Sequence, residues 1–431
     1  MGTQSQNPAW VTEIGDNMYI SEEPHAMDGP GQRRYTARAL NVSNSEVVFL
    51  EDIWRDDGRL FFEALLLEQV HKDERLPGLM YADAHDQVGQ RTRTISNQPG
   101  SDAVEAHGRY KMRLLTKDIG RALDTVRSLR QFLSVMYDAC AIQRNLYRKC
   151  RILHRDISDR NIMIAPETEE YRTSCASDLT EVKFVNQVLT RDKSCEPAPT
   201  CLVIDLGNGA DLKVARDALR ERTGTPKFIA RSVSSGRLLR KGEFDSQSVT
   251  MPPIEELGVY TGFVHSTEYQ INNLDPDTES DKRFAHRLFH DAESTFWVIA
   301  WTLARSARQG SQEEKIPPPD SCQFFHTMLR HFPIPSYDSR SKLCERSEEY
   351  WESILHPDLK ALSGMLTKMF SYIRPEWAYR PELHPEHVHE ALMRLLLTEI
   401  VRIEDSGEDV LLAIGGRARP PPPPEMAHCY E

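Results

Sequence analysis

A chain of 431 residues, 39% hydrophobic and 27% charged, can bury a sizeable core and is expected to form one large bilobal domain or two ordinary ones, with 26 prolines and 22 glycines leaving much of it to loops. A formal charge of −12 gives no electrostatic basis for nucleic-acid binding, and the run Arg237-Leu-Leu-Arg240-Lys241 reads as a solvated face. Gln6 stands where a myristoylation signal needs Ser or Thr, no charged-then-apolar leader is present, and the longest greasy stretch, 295–304, is about half of the roughly 20 residues a bilayer span needs, so no membrane insertion is expected.

The eight cysteines lack CxxC spacing, which argues against zinc or thioredoxin chemistry. Reduced thiols in an intracellular protein, cytoplasmic or nuclear, are the simpler reading.

Residues 1–28 are polar and weakly patterned and read as an irregular extension. From Arg34 to Trp54 the clusters Tyr35-Thr36-Ala37 and Val47-Val48-Phe49-Leu50, separated by Asn41-Val-Ser-Asn44, predict a strand, a turn and a strand. Residues 60–70 turn to straight-chain helix formers, 83–108 read as a polar loop, and a short strand is expected at Tyr110–Leu115.

Beyond residue 117 the period becomes helical. Leu129, Phe132, Leu133, Met136 and Cys140 form one stripe, 288–304 are apolar nearly all round, and further stripes run through Leu359–Phe370 and Leu392–Ile400. Strands first and helices after predict an α+β fold, with a small β-rich lobe at 29–115 and a larger helical lobe at 116–410. Residues 164–200 read as an insertion, and 411–431 as a tail in which Pro420–Pro424 form a polyproline II segment, either a ligand for an SH3 or WW domain or plain disorder.

Two motifs carry chemistry. His154-Arg155-Asp156-Ile-Ser158-Asp159-Arg160-Asn161 has the H-R-D-x-x-x-x-N spacing between apolar residues, and Cys201-Leu-Val-Ile204-Asp205-Leu206-Gly207 is a buried strand ending in a carboxylate and a glycine. Together they supply what phosphoryl transfer from ATP requires: Asp156 as base, and Asn161 and Asp205 as magnesium ligands. Downstream, Thr223-Gly224-Thr225 opens a candidate substrate-receiving segment, and Asp291 starts the buried helix, placed to tie down the catalytic loop or simply to complement the helix dipole.

Asp52-Ile-Trp54-Arg55, Thr116-Lys-Asp-Ile-Gly120, His154-Arg-Asp-Ile-Ser-Asp-Arg-Asn161, Thr223-Gly-Thr225 and Asp291-Ala-Glu-Ser294 together resemble the fungal-type protein kinase family over roughly residues 29–305. The resemblance implies a bilobal protein-kinase fold, ATP with Mg2+, transfer to Ser or Thr of a protein substrate, and catalytic roles for His154, Arg155, Asp156 and Asn161. In many kinases the arginine of this motif meets an activation-segment phosphate, and Thr223 and Thr225 are the candidates to carry one here.

The chain departs from the family where nucleotide is clamped. Glu51 stands at the lysine position, so Glu63, which resembles that lysine's helix partner, has no lysine there to meet. The glycine-rich loop is reduced to Gly29-Pro30-Gly31, where Pro30 removes a backbone donor. Arg33, Arg34 and Arg38 are candidate substitutes, each against a plain surface reading, and Ala230-Arg231-Ser232 lacks the glutamate that anchors the substrate-receiving segment. A working kinase and a pseudokinase scaffold both remain open, while an aminoglycoside-type kinase is disfavoured by the His-Arg-Asp arginine and the Thr-Gly-Thr segment.

Overall fold

The computed structural model describes residues 9–21, 25–26, 34–56, 58–93, 108–175, 180–192, 194–214, 217–240, 249–253, 255–263, 269, 283–335, 338–340 and 347–421. Its first lobe is an antiparallel sheet of β1 (Trp10–Ile14), β2 (Asn17–Ser21), β3 (His25–Ala26), β4 (Arg34–Asn41), β5 (Val47–Asp56), β6 (Ala84–Arg93) and β7 (Gly108–Thr116). The sheet order is β1-β2-β4-β5-β7-β6, with β3 beside β4. Helix α1 (Glu63–His71) packs on one face, while Ile14, Tyr19, Val48, Leu50 and Leu115 form a separate small core on the other.

Three sequence expectations are corrected. Residues 10–21 are a β-hairpin rather than irregular: side chains alternate between buried and exposed, and Gly15, at φ +56, supplies the positive φ of the two-residue turn. Residues 84–93 are an edge strand rather than a loop, its polar composition being that of an edge. The helical lobe also runs past residue 410, because Leu412 is buried and Arg417 donates to Glu314 (2.8 Å) and to the Ala304 carbonyl (3.0 Å). Residues 422–424 of the proline run lie outside the described residues.

The second lobe is helical. Helix α2 (Leu129–Cys150) opens on Ser128, whose hydroxyl accepts from the Gln131 N–H, and closes on Arg151 in the left-handed region. After β8 (Arg121–Ala122), β9 (Ile152–Leu153) and β10 (Ile162–Ile164) come α3 (Glu169–Ser174) and α4 (Val185–Leu189), then β11 (Cys201–Val203) and β12 (Ala210–Asp211). The segment between β10 and β11 is tied to α2 by buried Asp138, which accepts from the Val185 N–H (2.8 Å) and the Thr200 N–H (2.7 Å).

Helices α5 (Arg231–Ser235), α6 (Leu288–Arg305), α7 (Pro319–Leu329), α8 (Glu348–Ile354), α9 (Ser363–Ile373) and α10 (His387–Ser406) complete the lobe. Helix α6 runs through its centre, buried from Leu288 to Ala304, against α2, α9 and α10. This is the two-lobed α+β arrangement expected. Among the described residues no helix is long and apolar enough to cross a membrane.

Candidate active site

The candidate catalytic loop joins the short strands β9 and β10, and it is held from beneath. Asp291, in the first turn of α6 and buried, accepts from the His154 N–H and the Arg155 N–H, each at 3.0 Å. Those two bonds fix a strained backbone, with Arg155 at φ +67. Burial pushes the Asp291 carboxyl up to about 6, against the opposing pull of its two donors and of His154 and Arg155.

His154 Nδ1 accepts from the Asp156 N–H at 3.3 Å, which leaves Nε2 to donate to the Ile204 carbonyl at 3.0 Å. The ring therefore bridges the catalytic loop to the residue before Asp205. Asn161 Nδ2 donates to the Asp156 carbonyl (2.8 Å), and the Asn161 carbonyl accepts from the Ile204 N–H (3.0 Å). The structure thus brings His154, Asp156, Asn161 and the approach to Asp205 into one hydrogen-bonded unit.

The Asp156 carboxylate has three donors. Oδ1 accepts from both the N–H and the hydroxyl of Thr225, each at 2.7 Å, and Oδ2 accepts from Asn208 Nδ2 at 2.9 Å. Burial raises its pKa first, Asp205's charge adds to the rise, and the bonds from Thr225 and Asn208 oppose it. Gly224, at φ +128, places Thr225 here; a Cβ on Gly224 would lie 3.1 Å from the Arg155 carbonyl. Asn208 was not singled out in the sequence, and its one signal is that it directly follows Asp205-Leu206-Gly207.

Asp205 is in the left-handed region, φ +68, and its side chain accepts from the Gly207 N–H at 3.0 Å. Glu63 of α1 accepts from the Leu206 N–H at 3.0 Å, and Arg59 donates to the Gly207 carbonyl at 3.2 Å, so the small lobe grips this turn at two points. Asp205 and Asn161 offer a carboxylate and an amide oxygen. That donor set fits a hard cation such as Mg2+, which takes few protein ligands and keeps the rest as phosphate and water.

The side on which the resemblance would place a nucleotide differs. Glu51 is 8% exposed on β5, in register with Thr36 and Leu114, and so shares the face of the sheet on which Leu114 joins the α1 core. Arg38 is exposed. Gly29, Gly31, Arg33 and the side chain of Arg34 lie outside the described residues.

The segment after Thr225 is anchored, which the sequence did not lead one to expect. Arg231, fully buried, donates from Nε to Glu293 Oε1 of α6 at 2.7 Å and from Nη2 to the Ile373 carbonyl at 2.7 Å. Arg340 donates to the Ile229 carbonyl at 2.6 Å and pairs with Asp338 at 2.7 Å. The cation of this pair is on the segment and the carboxylate on α6, while Ser232 bonds His290 Nε2 at 2.9 Å.

The family described as "Fungal protein kinase" matches residues 80–303. No curated protein matches the chain. Among solved structures, one similar chain is the autoinhibited serine kinase domain of the giant muscle protein titin, at 12% identity and a TM-score of 0.41, the match covering 89% of this chain and 81% of that one.

Proposed function

Because this chain belongs to the fungal protein kinase family, whose match spans just over half of it, we propose that it transfers a phosphoryl group from ATP to Ser or Thr hydroxyls of a protein substrate. The observation that carries this reading is the Asp156 carboxylate: it is held by Thr225 and Asn208, tied through Asn161 and His154 to the turn bearing Asp205, and among the described residues Oδ2 takes one donor, leaving it room to accept from an incoming hydroxyl.

In this reading Asp156 orients the acceptor and takes its proton, while Asn161 and Asp205 are the residues that would hold Mg2+. The metal would supply charge neutralisation at the phosphates. Thr225 and Asn208 fix the carboxylate's rotation, so that the acceptor meets a positioned base rather than a mobile one. Glu63 and Arg59 hold the Asp205 turn against the small lobe.

A second reading, a pseudokinase scaffold, is favoured by one observation: Glu51, a buried carboxylate on the face of β5 that α1 covers, stands where the resemblance puts the phosphate-holding lysine, and a carboxylate there would repel phosphates. A thermal-shift titration separates the two. The kinase reading expects ATP to raise the melting temperature only with Mg2+, and Asp205→Asn to abolish that rise; a folded protein that shifts with neither supports the scaffold.

A further inference from the structure

A cluster of cations lies on one side of the loop that carries Asp156. Arg160 is exposed, adjacent to Asn161 and four residues beyond Asp156. Lys227 follows Thr225 by two residues, at most about 7 Å of extended chain, and Thr225 itself binds Asp156. Lys227 Nζ lies 4.3 Å from the centre of the Trp301 ring, and the Arg305 guanidinium lies 4.8 Å from the same ring. Trp301 is 2% exposed, so a fixed aromatic wedge holds the two cations beside each other at the edge of the site.

Two carboxylates face this group. Asp159 lies 3.8 Å from Arg305, and Asp124 also acts on it, whereas Arg419 adds a further positive charge. Arg160, Lys227, Arg305 and Arg419 therefore outnumber Asp159 and Asp124 among the described residues. Burial lowers the pKa of Lys227, and Arg305 and Arg160 push the same way while Asp159 opposes them, as expected of cations crowded without enough counter-charge.

We infer that this cluster receives carboxylate side chains next to the acceptor, so that the substrate is an acidic peptide carrying Asp or Glu within a few residues of its Ser or Thr. The inference rests on the phosphotransferase reading for the word substrate, but binding of the peptide does not require transfer. Arg160 supplies the exposed contact, and Lys227 and Arg305, held against Trp301, supply a preorganised second one. A Lys- or Arg-flanked peptide would meet the same cations and be repelled.

The test is fluorescence anisotropy on the full chain with three labelled peptides of equal length around one Ser, flanked by Glu, Gln or Lys. The Glu peptide is expected to bind at least tenfold tighter than the Gln peptide, to weaken as salt rises from about 50 to 200 mM, and to lose roughly tenfold in affinity in Arg160→Glu, with an unchanged melting temperature. Lys227→Gln, checked by the same melt, should weaken it as well. Equal binding of the three peptides, no binding of the Glu peptide to folded protein, or a Glu preference that survives both substitutions would overturn the inference. Failure of the phosphotransferase reading shows separately, as a retained Glu preference without phosphoryl transfer.

Discussion

Thr225 donates both its backbone N–H and its hydroxyl to the same oxygen of Asp156, each at 2.7 Å. A residue of the candidate substrate-receiving segment thereby fixes the group that, in the phosphotransferase reading, would take the proton. Removing the hydroxyl in Thr225→Val deletes one charge-assisted bond, worth about 1.5–3 kcal/mol, so phosphoryl transfer should fall by on the order of ten- to a hundredfold. The same bond lowers the pKa of Asp156, so its loss should move the acid limb of the pH–rate profile to higher pH. A profile with an unmoved limb would dissociate Thr225 from the base.

The buried pair Arg231–Glu293 anchors the segment that carries Thr225. Arg231→Leu leaves the Glu293 carboxylate buried without its guanidinium, and a loss of about 3–5 kcal/mol in unfolding free energy is expected by urea titration. Ser232→Glu, which restores the family's residue type at a buried position bonded to His290, is expected to destabilise rather than improve the anchor.

In the phosphotransferase reading, Glu51→Lys would put a cation where the resemblance expects one against the phosphates. Tighter ATP binding, by on the order of tenfold or more, is expected in the Mg2+-dependent melting shift. Glu51→Gln should give a smaller gain in the same direction. If neither substitution changes ATP affinity, the nucleotide does not pass near this position.

Glu376 carries a pH signature. Burial pushes its carboxyl up to about 7, well above the ordinary value of 4.5, against the pull of the Leu239 and Ala378 N–H groups and of Arg231. The folded-state pKa is raised, so the unfolded chain ionises first; the stabilising preference for the neutral form is complete below about 4.5 and is lost as pH rises to about 7. Glu376→Gln should accordingly gain on the wild type between pH 5 and pH 8, and paired melting curves at the two pH values measure the difference.

What the sequence discloses is local in origin. His154, Asp156, Asn161 and Asp205 stand at fixed spacings beside short apolar strands, and Asp291 begins a helix apolar enough to be central. Strand β6 escapes notice because an edge strand is half-polar, as in His85-Asp86-Gln87, and the β1–β2 hairpin because its two short strands expose Trp10, Val11, Met18 and Ile20, which blurs the alternation. Glu293 was visible as a helix residue, but its pairing with Arg231 spans 62 positions and needs the packed lobe. Asn208 has no periodicity to betray it; only the return of its turn onto Asp156 gives it a role.

The most direct test of the central claim follows radiolabel from ATP in the presence of Mg2+, to the protein itself and to a serine peptide, in the wild type and in Asp156→Asn. Label that requires Mg2+ and disappears in Asp156→Asn, with melting temperatures matched, is the result expected of Asp156 as base. A folded wild type that transfers no label, or transfer that persists in Asp156→Asn, would contradict it.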